Sequence, residues 1–145
     1  MTKYPSPDQV PIIKLIPHRH PMVLVDRLIE SHEKTASSSF KIPQKHAFVD
    51  NSKLTVEGAI ENIAQTAAAN LGYLYHISGS KVPRGFIGAV NKLTINELPK
   101  IGTVIQTRIS VLQEVFGITL IEGIISRENE ICLTCQMKIV AEQTQ

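Results

Sequence analysis

The sequence predicts an α+β domain, on three observations. One segment, Thr55 to about Tyr75, repeats apolar residues at spacings of three and four, the amphipathic signature of a helix. Two strand-like segments precede it and four follow it. Long antiparallel strands with a single helix set apart from them make the α+β class.

Each element has a local reason. Val10 to Ile16 is a short apolar segment predicted to form a helical turn or two, stopped by Pro17. Val23, Val25 and Ile29 alternate with Asp26 around Leu24 and Leu28, which predicts a mostly buried strand. Thr35 to Ile42 is the second strand, with Ala36, Ser38, Phe40 and Ile42 on one face. Pro43 to Leu54 is polar and irregular and reads as a loop. In the long helix, Val56, Ile60, Ile63, Ala67, Leu71 and Leu74 form the stripe expected to be buried. Thr55 suits its N-cap, and Glu57 suits the positive first turn. Ala64, Ala67, Ala68 and Ala69 let another backbone come close, so the helix is expected to lie against a sheet. Ile77 to Pro83 is a Gly/Ser linker. Strands are then predicted over Phe86–Ile95, Thr103–Leu112, Phe116–Ser126 and Glu130–Ala141, with turns at Glu97–Gly102 and Arg127–Asn129.

Composition removes several function classes. The 145 residues are 43% apolar and 19% charged, enough for one core and too apolar for disorder. Fifteen Lys and Arg against thirteen Asp and Glu leave +2, with no basic stripe for nucleic acid. No apolar run approaches the roughly 18–20 residues of a membrane helix. The start, MTKYPSPDQVP, lacks the apolar stretch of a secretory signal, so a cytoplasmic protein is expected. Cys132 and Cys135 have the spacing of half a zinc site, but no second pair exists. The segment alternates as a strand, which puts residues three apart on opposite faces. Two reduced thiols are the expectation, with no metal.

Leu15 to Arg27 (LIPHRHPMVLVDR) closely resembles the opening of the 3-hydroxyacyl-acyl-carrier-protein dehydratases, whose pattern there is L-L-P-H-R-x-P-x-L-L-V-D-R. Glu61 to Gln65 (ENIAQ) resembles the E-A-L-A-Q on that family's central helix, and Phe86 to Gly102 resembles its next strand and Pro-x-x-Gly turn. The resemblance spans nearly the whole chain in the right order. It implies the hotdog fold, a curved antiparallel sheet wrapped around one central helix. It implies elimination of water from a 3-hydroxyacyl thioester, on acyl carrier protein, to the trans-2-enoyl form. The setting would be fatty-acid-like or polyene biosynthesis. It also implies a homodimer or higher oligomer, or a heterodimer with a homologous hotdog subunit. Catalysis in the family uses a helix Glu and a loop His from opposite subunits. The Glu carries over onto Glu61. The family's loop reads G-H-F-P-G-x-P-x-x-P-G, its His fourteen residues before the Glu; Ala47 stands there, and His46 lies fifteen before. A one-residue insertion restores His46. The Pro-Gly elements are missing, and Val56 stands where the family has Gly at the helix start. That departure resembles a divergent branch of dehydratases associated with aryl-polyene pathways.

The chemistry asks for three groups. A base takes the proton from C2, an acid helps the C3 hydroxyl leave, and donors hold the thioester oxygen. His46 suits the base and Glu61 the acid. Amides around Glu57 and Gly58 at the helix N-terminus suit the third task. Gln65, one turn beyond Glu61, is placed to hydrogen-bond it, and joins Glu57 and Gly58 as a substrate-binding candidate. No metal or cofactor is called for. The plainer readings are a boundary Glu61 and a solvated loop His46. His18 and His20 flank Arg19, which is expected to pair with Asp26 or cap nearby helix ends; both histidines read as structural. A loop carboxylate, Asp50, is the route to a thioesterase, and a degenerate subunit that pairs with an active homologue is the non-catalytic rival. Lys81, Arg84 and Lys92 near one sheet edge are placed to meet an acidic carrier protein, or simply face solvent.

Overall fold

The computed structural model describes residues 4–142. The helical turn or two expected over Val10–Ile16 is a single 3₁₀ turn, Ile12–Lys14, with another, Pro7–Gln9, ahead of it. Pro11 and Pro17 leave no room for a longer one. The elements that follow are β1 (Arg27–Ser31), β2 (Thr35–Lys41), β3 (Val49–Asp50), β4 (Lys53–Leu54) and α1 (Val56–Ser78). Then come β5 (Gly85–Ile95), β6 (Val104–Val115), β7 (Ile118–Arg127) and β8 (Glu130–Ala141). β3 and β4 form a small hairpin, with Asn51 and Ser52 both at positive φ in its turn. The other six strands make one antiparallel sheet in the order β1-β2-β6-β7-β8-β5. One long helix packed on a curved antiparallel sheet is the hotdog fold.

Local chemistry starts and stops α1 where the residues say it should. The Thr55 hydroxyl accepts from the Gly58 N–H at 3.0 Å, and Gly79 ends the helix in the left-handed region at φ 74°. The face it buries differs from the stripe expected above. Ala59, Asn62, Ile63, Thr66, Ala69 and Asn70 are buried, while Leu71 is exposed and Ile60, Ala67 and Leu74 are only partly covered. The polar residues tolerate this because each finds a partner. The Asn62 carbonyl accepts from the Thr107 hydroxyl, Ser38 and Thr66 share a hydroxyl contact of 2.7 Å, and the Asn70 carbonyl accepts from the Ser31 hydroxyl. Helix and sheet come close at Gly123, where a Cβ would lie 2.5 Å from the Ile63 side chain.

The strand expected to begin at Val23 begins four residues later, at Arg27. Val23, Leu24 and Val25 are buried yet lie outside the sheet. Side chains take the Val23 carbonyl and both backbone groups of Leu24, which removes them from any ladder. The remaining strands lie within a few residues of expectation, and β8 matches it end for end.

Candidate active site

The strip Met22–Leu24 crosses α1, and three side chains grip it through its peptide groups. Gln65 Oε1 accepts from the Leu24 N–H at 2.7 Å, and Gln65 Nε2 donates to the Met22 carbonyl at 3.0 Å. Asn62 Nδ2 donates to the Leu24 carbonyl at 2.7 Å. His46 contacts the Val23 carbonyl through Nε2 at 3.2 Å. Its other nitrogen, Nδ1, accepts from the Phe48 N–H at 3.1 Å. An N–H on Nδ1 would face that donor, so the proton sits on Nε2 and the ring donates to Val23. The imidazole stands between Phe40 and Phe48, with ring centroids 6.4 and 5.9 Å away.

Glu61 projects from the first third of α1 with its side chain 28% exposed. Its Oε1 lies 3.3 Å from Gln65 Nε2 and 3.4 Å from His18 Nε2. The expected hydrogen bond from Gln65 to Glu61 is therefore present. Oε2 takes no hydrogen bond among the described residues. Within one subunit, His46 and Glu61 hold different partners and meet only through the strip between them.

The other expected site residues divide. Gln65 is fully buried, and all its polar atoms face the strip and Glu61. Gly58 is buried, its amide held by Thr55. A Cβ there would lie 2.7 Å from Phe48 Cβ, so this glycine lets the loop that carries His46 sit on the helix start. Glu57 is exposed. Its N–H and that of Val56 take no partner among the described residues, which leaves two outward donors at the helix N-terminus. Beside them, Asp50, Asn51, Lys53, Leu54, Thr55, Val56 and Leu98 line an open hollow.

Arg19 and Asp26 do not pair. Arg19 Nη1 donates to the carbonyls of Ile16 and His18 at 2.9 and 2.7 Å, and Asp26 accepts from the Lys41 N–H at 2.7 Å. Each finds a backbone partner nearer than the other. Two residues were missed by the sequence reading: Asn62, which holds the strip, and His18, which reaches Glu61. The signal for Asn62 was faint: polar Asn62, Thr66 and Asn70 recur every fourth residue along a helix expected to lie against a sheet.

The family of ApeP-like dehydratases matches residues 10–145. The chain belongs to that family. A 3-hydroxyacyl-[acyl-carrier-protein] dehydratase FabZ from Caldanaerobacter subterraneus is 26% identical over 136 residues, covering 89% of this chain and 94% of that one. Among solved structures, the dehydratase heterocomplex ApeI:P from Xenorhabdus doucetiae superposes with a TM-score of 0.85 at 18% identity, over 93% of each chain. A hypothetical thioesterase from Streptococcus pneumoniae, solved with coenzyme A, gives 0.64 at 6% identity, over 81% of this chain and 86% of its own. The last two likenesses bear on the fold alone.

Proposed function

We propose that this chain eliminates water from a 3-hydroxyacyl thioester carried on acyl carrier protein, in fatty-acid-like or polyene biosynthesis. Glu61 carries the reading. In a chain of a dehydratase family, a partly exposed carboxyl has one oxygen approached by two side chains and the other unclaimed. His46 of the opposite subunit takes the C2 proton. The C–H electron pair becomes the C2–C3 double bond, and the C3–O bond breaks. The Glu61 proton goes to the departing hydroxyl, which leaves as water; solvent then returns the proton from His46 to Glu61. For this step the Phe48 N–H must release Nδ1 of His46, while the bond from Nε2 to Val23 keeps the ring in place. The Val56 and Glu57 amides are the donors left for the thioester oxygen. Gln65 acts by positioning.

A second subunit supplies the missing wall. It docks along β5, an eleven-residue edge strand with Phe86, Ile87, Leu93 and Ile95 exposed. The Xenorhabdus protein is described as a heterocomplex, so the partner is a second copy or a homologous subunit. Lys81, Arg84 and Lys92, all exposed, face the acidic carrier.

The test follows enoyl formation and free-thiol release on one 3-hydroxyacyl thioester, alone and with a co-encoded homologue added. Elimination without thiol release is expected. Glu61→Gln and His46→Asn each lower it by about 10²–10⁴-fold, the usual range for general acid–base catalysis, with folding retained. Thiol release without enoyl product, or full turnover by Glu61→Gln, overturns the reading.

A further inference from the structure

Glu61 has a neighbour that the proposed chemistry leaves unused. His18 comes from the loop between the second 3₁₀ turn and the strip, with Nε2 at 3.4 Å from Glu61 Oε1 and its side chain 31% exposed. The loop is fixed at both ends to α1. The Leu15 backbone lies so close to Gly72 that a Cβ there would stand 1.9 Å from the Leu15 carbonyl oxygen, and Gln65 holds Met22 and Leu24. Between them, Arg19 closes the turn by donating to the Ile16 and His18 carbonyls.

The decisive atom is on the far side of the ring. Nδ1 of His18 is buried and has no hydrogen-bond partner among the described residues. A proton there would be a buried donor with nothing to accept it, a costlier arrangement than a buried lone pair. The orphaned Nδ1 therefore sets the tautomer, with the ring proton on Nε2, towards Glu61.

We infer that His18 is a positioning residue which, together with Gln65, turns Glu61 so that its transferable proton sits on Oε2 and faces the substrate. Gln65 Nε2 donates to Oε1 and His18 Nε2 approaches it at 3.4 Å, and an oxygen that faces two donors has no place for a proton of its own. The acid proton is thereby assigned to the other oxygen, the one without a protein partner. At 3.4 Å the approach of Nε2 to Oε1 is longer than the usual N–H···O range of about 2.7–3.2 Å. The inference rests on Glu61 being the acid of the proposed dehydration.

Two measurements test it. In turnover on a 3-hydroxyacyl thioester, His18→Leu removes the donor and lowers kcat by about 10–100-fold with KM little changed, the scale of a misaligned reacting group. His18→Gln, whose amide nitrogen reaches the Nε2 position, restores most of kcat. His18→Asn, whose amide reaches only the Nδ1 position, does not. Exposed His20→Leu is the control for loop damage, and melting temperatures confirm folding. Wild-type kcat in His18→Leu, or equal losses in the Leu and Gln variants, overturns the inference. Independently of turnover, nitrogen-15 spectra of the histidine rings report the tautomer. The expected result is a His18 ring protonated on Nε2, whose resonance shifts in Glu61→Ala. A ring protonated on Nδ1, or one indifferent to Glu61→Ala, overturns the inference even if the enzyme is active. An inert wild type with the expected spectra overturns the dehydratase reading and leaves the contact between His18 and Glu61 standing.

Discussion

Cys132 and Cys135 show how a single residue's surroundings decide its chemistry. Both are buried and unbridged, and burial pushes both thiols above their ordinary value. For Cys132, Arg127 pulls the other way, less strongly. Cys135 faces the core with Leu133 and Met137; Cys132 is covered where the backbone N–H groups of Asn96 and Glu97 donate to its carbonyl. Less thiolate and no access mean slow alkylation: at pH 8 the folded protein should consume almost no iodoacetamide, and the unfolded protein two equivalents. The sign of the pH effect follows. As pH rises through the ordinary thiol range, the unfolded chain loses these protons first. The thiols' stabilising contribution is full below that range and fades as pH climbs to their raised values. The denaturant midpoint should fall between pH 8 and 10, and fall less in a Cys132→Ala, Cys135→Ala variant. An identical fall in both proteins would show that the thiols do not drive it.

At the scale of elements, α1 anchors the N-terminal loop and carries Glu61, the proposed acid. Gly72→Ala tests the anchor. Alanine in a helix normally gains up to about 1 kcal/mol over glycine. Here its Cβ would meet the Leu15 carbonyl oxygen at 1.9 Å, so the expected result is a net loss of about 1–3 kcal/mol, measured by denaturant unfolding. A stabilised variant would show that the loop is free to lift. The helix also shows what was legible. Its cap at Thr55, its length and its place against the sheet follow from local spacing and side-chain chemistry, as does β8. Which face it buries did not follow. Asn62 and Gln65 are buried because Leu24, 38 and 41 residues away along the chain, offers them backbone partners. Periodicity counts such residues as solvent-facing and cannot see the partner. The same blindness turned Val23–Val25 into a strand, since side-chain hydrogen bonds to a backbone leave no mark in the alternation of apolar residues. Glu61 is singled out by its motif and His46 by its place before the helix, and both are proposed site residues. His18 is not singled out, because its partner lies 43 residues away.

The whole molecule ends at one side in β5, paired only with β8 and exposed along almost its full length. A strand of that length with Phe86, Ile87, Leu93 and Ile95 outward is a template for another strand. Sedimentation velocity at micromolar concentration should give a dimer, either of this chain or, when co-expressed, with its homologue. A monomer under both conditions would remove the second subunit from the proposed site. No described helix is long and apolar enough to cross a membrane.

The grip on Met22–Leu24 sets how positional errors accumulate. In most folds, groups from distant segments are located through many intervening parts, and each adds its own thermal spread. Here Glu61 is two contacts from the strip, through Gln65. His18 lies four residues before Met22 in the chain, and its Nε2 comes back to the same carboxyl. Both share one local datum. When the sheet breathes, the strip and the groups referred to it shift together, and their mutual spacing changes least of all.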